Sequence, residues 1–560
     1  MLTKFWLLSG LLFFSLQAFI QSTHAAELPS AGSTIQQIPS LPAPKKSLPE
    51  VHIQQSNAPV APKSNQEKII VKTLHVTDAH LYSESALIAV SGFMPGSGLT
   101  LTDLSAIAKK ITDHYHKNGY FLAQAYLPAQ EIKDGAVTIN VLEGQYGKVT
   151  LNNQTNLSSE LANSLIKGLN SGDAIAVAPL ETRLLLLSDL PGINIKSTLI
   201  PGASVGSSDL MIDVTPGQRV SGSIDADNEG SRYTGLNRAG ATVNLNDPSG
   251  HGDVATLRVF TSGSELSYGR ASYQVQLGRA KAGVAYSYMK YALGSDFSSL
   301  QANGTAQIES LYGSYPLIRT RDNNLYAQID YDDKSFQDNI DSTSTFTDKK
   351  AGSLMVSLNG GHRDGWGGGG LDNYSLTLTA GKIELQSSAA LAIDSITAQT
   401  NGHYSKVGLT SSRTQNVTEQ TSLYFSINGQ WASSNLDVSE KMELGGPYAV
   451  RAYPEGEAYS DQGYVMNLEV RGQLPQFLPQ VPGQILLVGF VDTGSALANK
   501  TPWTLENNRR TLSGTGIGIN WMDSANFMVK AYYAYKLGSA MATSAPDSPS
   551  RIWIQGVKYF

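Results

Sequence analysis

The sequence predicts a transmembrane antiparallel β-barrel of about 16 strands, preceded by two small α+β modules of β-α-α-β-β order. Three observations carry this prediction. From residue 218 to the end, segments of about ten residues alternate apolar and polar side chains between Gly/Asn/Asp/Ser turns, as membrane-spanning strands do. Upstream, between 69 and 217, one pattern of strands and helices occurs twice. Finally, no apolar run after the N-terminus is long and uncharged enough for a spanning helix, so a membrane form must be a closed barrel.

Composition agrees. Only 16% of the 560 residues are charged, against about 25% in soluble globular proteins, while Gly (53) and Tyr (26) are abundant. The formal net charge is −6 and no Lys/Arg run suggests nucleic acid. The absence of cysteine rules out disulfides, thiolate metal sites and cysteine nucleophiles.

Lys4, the apolar run Phe5 to Ile20 and the small residues around Ala25-Ala26 have the order of a secretory signal peptide, 1–26. The run is shorter than the ~20 residues of a membrane anchor. Residues 27–68 form a linker rich in proline (Pro29, Pro39, Pro42, Pro44, Pro49, Pro59, Pro62). Within it "AGSTIQQI" (31–38) allows two helical turns before Pro39.

The first module (69–145) opens with the strand "IIVKTLHV" and a Ser83-led helix. Thr100 and Asp103 then have capping-box spacing, and Leu104, Ile107, Ala108, Ile111 and Tyr115 share one helix face up to Asn118-Gly119. Strands "YFLAQAYLP" and "GAVTINVLEG" close it. The second module (146–217) repeats this order with "GKVTLNN", helices after Ser158 and in "APLETRLLLLSDL", and strands "INIKSTLI" and "SDLMIDVTPG". In the barrel region (218–560), Leu325, Ala327, Ile329 and Tyr331 take one face of "LYAQIDYDD", and Gln328 and Asp330 the other. The terminal Tyr559-Phe560 suits a last strand that must pair with the first.

The order of parts resembles the two-partner secretion transporters, the TpsB branch of the Omp85 superfamily (ShlB/FhaC/HecB-like haemolysin secretion/activation proteins). The residues that carry the likeness are "GYFLAQAYLPAQEIKDGAVTINVLEG" (119–144), "SRYTGLNRAGATVNLNDPSGHGD" (231–253), "GWGGGGLDNYSLTLTAG" (365–381) and "LGGPYAVRAYPEGEAYSDQGYVMNLEVR" (444–471). The resemblance makes the two modules periplasmic POTRA domains. It places Val450, Arg451, Ala452 and Tyr453 at the family's VRGY/F position, on a hairpin (about 444–464) folded into the barrel lumen. The family often has glycine where Ala452 stands, which questions a backbone turn with positive φ there. In family members with a well-formed plug a helix near the mature N-terminus sits in the pore; the candidate here, 31–38, is short.

"LLVGFVDTGSA" (486–496) poses a choice. Asp492-Thr493-Gly494 also reads as an aspartic-protease loop, but such an enzyme needs two aspartates sharing a proton. The chain has one such motif, set among barrel strands. The resemblance instead makes Phe490, Asp492 and Gly494 the FxDxG motif of an inward-facing strand. Alternation agrees: Val488, Phe490 and Asp492 share one face, and an Asp facing lipid costs about 3 kcal/mol. Arg451 is then the expected partner of Asp492, with Glu469 the alternative, in a latch of about 1 kcal/mol in a wet lumen and more if desolvated. "GWGGGG" (365–370) lacks the Lys-Ser/Thr ending of a phosphate loop and reads as a flexible connection. His114 and His116 lie on different helix faces, against metal binding.

Neither catalytic residues nor a cofactor or metal is expected. The resemblance implies an outer-membrane translocator that exports a large secreted TpsA-type exoprotein (filamentous haemagglutinin-, haemolysin- or contact-dependent toxin-like), unfolded and without ATP. Its other partners would be outer-membrane lipid and the barrel-assembly machinery that inserts it. An Omp85-type insertase and a passive porin are the alternatives.

Overall fold

The computed structural model describes residues 28–39, 51–53, 67–476, 482–505 and 507–560. The signal-peptide assignment and most of the linker lie outside them. Sixteen consecutive strands, from Val220–Asp227 to Ser550–Tyr559, close into one antiparallel barrel. The first and last strands pair from Ser223↔Tyr559 to Asp227↔Gln555, and Phe560 exchanges backbone hydrogen bonds with Gly222.

The wall sorts side chains as period-2 alternation requires. On the thirteenth barrel strand, Gln484–Leu497, Leu487 and Val491 are exposed on the outside, whereas Val488, Phe490 and Asp492 are buried inside. Ile517, Leu376, Leu378 and Val356 are likewise exposed on neighbouring outer faces. This apolar belt is stable only against lipid, because water would leave it unsheltered.

Two features of the barrel run against the sequence reading. A helix, Ser388–Ile396, interrupts the otherwise all-strand region between Gly370–Leu385 and Gly402–Asn416. The glycine-rich turn is ordered: Gly367, Gly368 and Gly369 all have positive φ, and the Gln415 amide donates to the carbonyls of Trp366, Gly367 and Gly369. Side-chain capping from the strand Gly402–Asn416 does what the glycines alone cannot.

In the first module the Thr100 cap forms as its spacing predicts. Asp103 N–H donates to the Thr100 hydroxyl, and Thr100 N–H donates to the Asp103 carboxylate, which holds that carboxyl below its usual range. Leu104, Ile111 and Tyr115 of the helix Leu101–Lys117 pack on Val137, Ile139 and Val141 of the strand Ala136–Leu142. Tyr115 donates to Glu143, which also accepts the His80 and Leu81 N–H groups; burial, with Glu143 beside it, pushes the phenol up. "IIVKTLHV" divides at Lys72: Ile69–Val71 pairs with Ser97–Leu99, and Thr73–Thr77 joins a separate sheet beside Ala136–Leu142.

The second module carries an addition that periodicity did not reveal. Val51–Ile53, from the linker, lies parallel to Ile193–Pro201 as a fourth strand at the edge of its sheet. Three residues are too few for alternation to register. The module is also docked on the barrel. Arg319, at the foot of the sixth barrel strand, donates twice to Asp189 at 2.7 Å, and Arg321 reaches Glu181 at 3.0 Å. Asp189→Ala is expected to lose about 1–2 kcal/mol of this docking. Spin-label distances from the module to the barrel rim should broaden, and an unchanged distribution would make the ion pairs incidental.

Candidate functional site

Between barrel strands Thr421–Ala432 and Gln462–Gln473 the chain does not turn outward but folds back into the lumen. Backbone bonds shape this hairpin: Met442 and Ser460 pair, Val450 N–H donates to Leu444 C=O, and Gly446, at φ +103°, makes the reversal. Gly445 allows close approach, since a Cβ there would stand 2.4 Å from the Pro454 carbonyl.

Arg451 sits at the centre of the packed tip. Its Nη2 and Nε donate to the two oxygens of Asp492 at 2.7 and 2.9 Å, and its own N–H donates to Asp492 at 3.1 Å. The remaining nitrogen, Nη1, donates to Glu469 at 2.8 Å. The two partners proposed as alternatives are therefore engaged together. A planar guanidinium with five donors can serve two carboxylates at once, which a lysine cannot. Arg471 in turn donates to the other Glu469 oxygen at 2.7 Å, so that two arginines face two carboxylates.

Aromatic rings complete the seat. The guanidinium carbon of Arg451 lies 3.5 Å from the Phe490 ring centroid and 5.0 Å from that of Tyr532. Phe490 thus contributes its ring face, and Asp492 its carboxylate, from one side of the same strand. Gly494 leaves room for the hairpin, because a Cβ there would meet Leu444 at 2.6 Å.

The lumen is not wet here. Arg451 is 4% and Asp492 0% exposed, and Val450, Ala452 and Tyr453 are fully buried. This alters the energetics. A desolvated pair is costly to break by removing one member, about 3–5 kcal/mol, rather than the ~1 kcal/mol of a solvated one.

Ala452 does not take positive φ; the non-glycine residue that does in this hairpin is Ala458. The Ala452 methyl group fits because the facing wall residue is Gly514, where a Cβ would stand 2.5 Å from it. Tyr453 donates to the Ala540 carbonyl. Tyr559 and Phe560 lie away from this site, in the seam between the last and first strands.

Sequence reasoning missed several members. Asn467 bridges the Ala449 carbonyl and Asp492, and Trp553 donates its indole N–H to the Arg451 carbonyl at 2.7 Å. Asn467 was within reach of pattern reading, being two residues before Glu469 on the same face. Trp553, 102 residues from Arg451, was not.

A second lumen element is the helix Ala31–Gln36, shorter than the 31–38 segment expected. Ser30 caps it, its Ala31 N–H donates to Asp338 on the wall, and Gln37 bonds Tyr459 of the hairpin. Gly32 packs directly on Ser439, where a Cβ would come within 2.7 Å. Of the histidines weighed for metal binding, His116 bonds the Ala123 carbonyl and His114 stacks edge-on to Tyr82.

Comparison with known proteins adds to this geometry. The model of the haemolysin secretion/activation protein family ShlB/FhaC/HecB matches residues 206–521, and that of the ShlB-type POTRA domain matches 69–144. The heme/hemopexin transporter protein HuxB of Haemophilus influenzae is 27% identical over 555 residues, covering 96% of each chain. The outer membrane transporter CdiB of Dickeya dadantii is 22% identical over 428 residues, 75% of this chain and 74% of that one. Among solved structures, CdiB from Escherichia coli superposes with a TM-score of 0.69 at 20% identity, over 90% of this chain and 93% of its own. BamA from Haemophilus ducreyi lacking POTRA domains 1–3 follows at 0.53 and 13%, over 88% and 100%.

Proposed function

Because the chain belongs to the ShlB/FhaC/HecB haemolysin secretion/activation family, we propose that it is an outer-membrane translocator that exports one large partner exoprotein, unfolded, to the cell surface. The observation that carries this reading is that a closed barrel has its lumen occupied by two segments of its own chain, the hairpin and the Ala31–Gln36 helix. Neither belongs to the wall ladder, so both can leave the lumen without breaking the backbone pairing of the sixteen strands. A passive porin has no use for tandem modules or for such obstructions.

The POTRA modules are the receptor, on the periplasmic side. A strand-like client segment adds to a sheet edge, its main chain supplying affinity and side-chain pockets specificity. Among the described residues the outer strands are Thr73–Thr77 and Gln124–Tyr126 in the first module and Gln145–Asn153 and the short Val51–Ile53 in the second. Arg451 and Asp492, with Glu469 as second acceptor, form the latch that holds the hairpin at rest. The Asp492 carboxylate is taken up by Arg451 and Asn467, which supports a structural role over acid-base catalysis. No enzyme activity is proposed. The apolar outer wall supports contact with lipid, and the barrel fold supports the barrel-assembly machinery as the partner that inserts the chain. The names of the relatives, a heme/hemopexin transporter and CdiB, suggest clients of the exoprotein class without choosing among them.

Depletion of the protein, followed by a comparison of surface and outer-membrane proteomes, tests this reading. Loss of a single surface protein is expected. A fall in many barrels would overturn it in favour of an insertase, and impaired small-solute uptake in favour of a porin.

A further inference from the structure

The closing seam of the barrel has a short ladder. The first strand pairs with the last from Ser223↔Tyr559 to Asp227↔Gln555, flanked by a backbone exchange between Gly222 and Phe560 and by Asn228, whose backbone and amide side chain bond Ile554 and Ile552. By contrast the sixth and seventh strands pair from Ala302↔Ile340 to Arg319↔Asn324. Fewer wall hydrogen bonds make the seam the cheapest place for local opening.

Reinforcement comes from the hairpin. Tyr448, three residues before Arg451, borders the open lumen, yet its hydroxyl is fully used. It donates to Glu229 at 2.9 Å and accepts from the Gln555 amide at 2.8 Å. Glu229 follows the first strand, and Gln555 belongs to the last. Gln555 also reaches Glu229 directly at 3.3 Å, and Arg238 stands 3.7 Å from the same carboxylate. On the last strand, Trp553 grips the Arg451 carbonyl. One phenol therefore touches both edges of the seam, and the hairpin tip that bears it is anchored by Arg451 on the other side.

We propose that Tyr448 is a positioning residue that staples the hairpin tip across the closing seam, so that the latch and the seam are released together. The inference rests on the reading of the hairpin as a movable latch. When the hairpin leaves, the seam loses its lumenal tie at the moment when a polypeptide must pass, and the wall can yield at its shortest ladder.

Hydrogen–deuterium exchange of the full-length protein in phospholipid vesicles tests this. Tyr448→Phe should speed exchange about tenfold in the peptides spanning 220–228 and 550–558, as loss of a hydrogen bond to a charged group implies. The 484–497 strand should be unaffected. Gln555→Leu, which removes the last-strand arm to Tyr448 together with the direct contact to Glu229, should loosen the seam at least as much and serves if Tyr448→Phe assembles poorly. Arg451→Ala should loosen the same seam peptides from a distance. Unchanged seam exchange in Tyr448→Phe and Gln555→Leu overturns the staple, as does an Arg451→Ala hairpin that loosens without the seam. Secretion assayed in the same variants separates the two readings: a tight seam with partner secretion lost removes the staple and leaves the translocator.

Discussion

Arg451→Ala and Asp492→Ala are each expected to abolish most secretion of the partner exoprotein, and the double mutant to lose no more than either alone. Arg451→Ala leaves the buried Asp492 with only the Asn467 amide, at a cost of about 3–5 kcal/mol, and Asp492→Ala leaves Arg451 held by Glu469 alone; either is enough to unseat the hairpin. Removing both leaves Glu469 on Arg471 and no unpaired Asp492 carboxylate, so the effects do not add. The charge-swapped pair, Arg451→Asp with Asp492→Arg, should stay defective. An aspartate at 451 would face Glu469, and the Phe490 ring face suits a cation but not a carboxylate. The measurement is partner secretion alongside heat-modifiability of the barrel on gels, which reports assembly separately. Normal secretion by both single mutants with intact barrels would make the pair an ordinary lumen contact.

Gly514→Ala is expected to displace the hairpin, and Ala452→Gly to restore it. The added methyl would stand 2.5 Å from the Ala452 methyl, inside any van der Waals contact, in a seat with no free volume. Overpacking of this kind costs about 1–3 kcal/mol. Protease accessibility of the hairpin should rise in the single mutant and return in the double. Failure of the double to recover would mean that the Gly514 position matters for the wall strand itself and not for the hairpin. In this chain Gly514 leaves the room that the Ala452 methyl occupies.

The barrel was legible because its governing rule is local. Lipid on one side and lumen on the other impose a period of two on every strand, so Leu487 and Val491 against Val488, Phe490 and Asp492 can be sorted without knowing any neighbour. The Thr100 cap and the Leu104-to-Tyr115 helix stripe are local in the same sense. Lipid exclusion also sent Asp492 inward, and with the family likeness this sufficed to pair it with Arg451.

Other features were settled by distance in sequence brought to nearness in space. Whether Arg451 meets Asp492 or Glu469 was undecidable from spacing, because adjacent antiparallel strands carry both carboxylates and only the hairpin's depth brings the two within one guanidinium's reach. The desolvation that strengthens the latch has the same origin, since it depends on Phe490, Tyr532 and Trp553 closing around it. Trp553 and Gln555 become neighbours of the hairpin only when strand pairing has run around the whole barrel and met itself. So the sequence by itself determined which residues face lipid and that Asp492 must face inward. Tertiary structure alone decided what each buried charge touches, because a closed ladder sets its contacts through the summed register of sixteen strands, which no short stretch encodes.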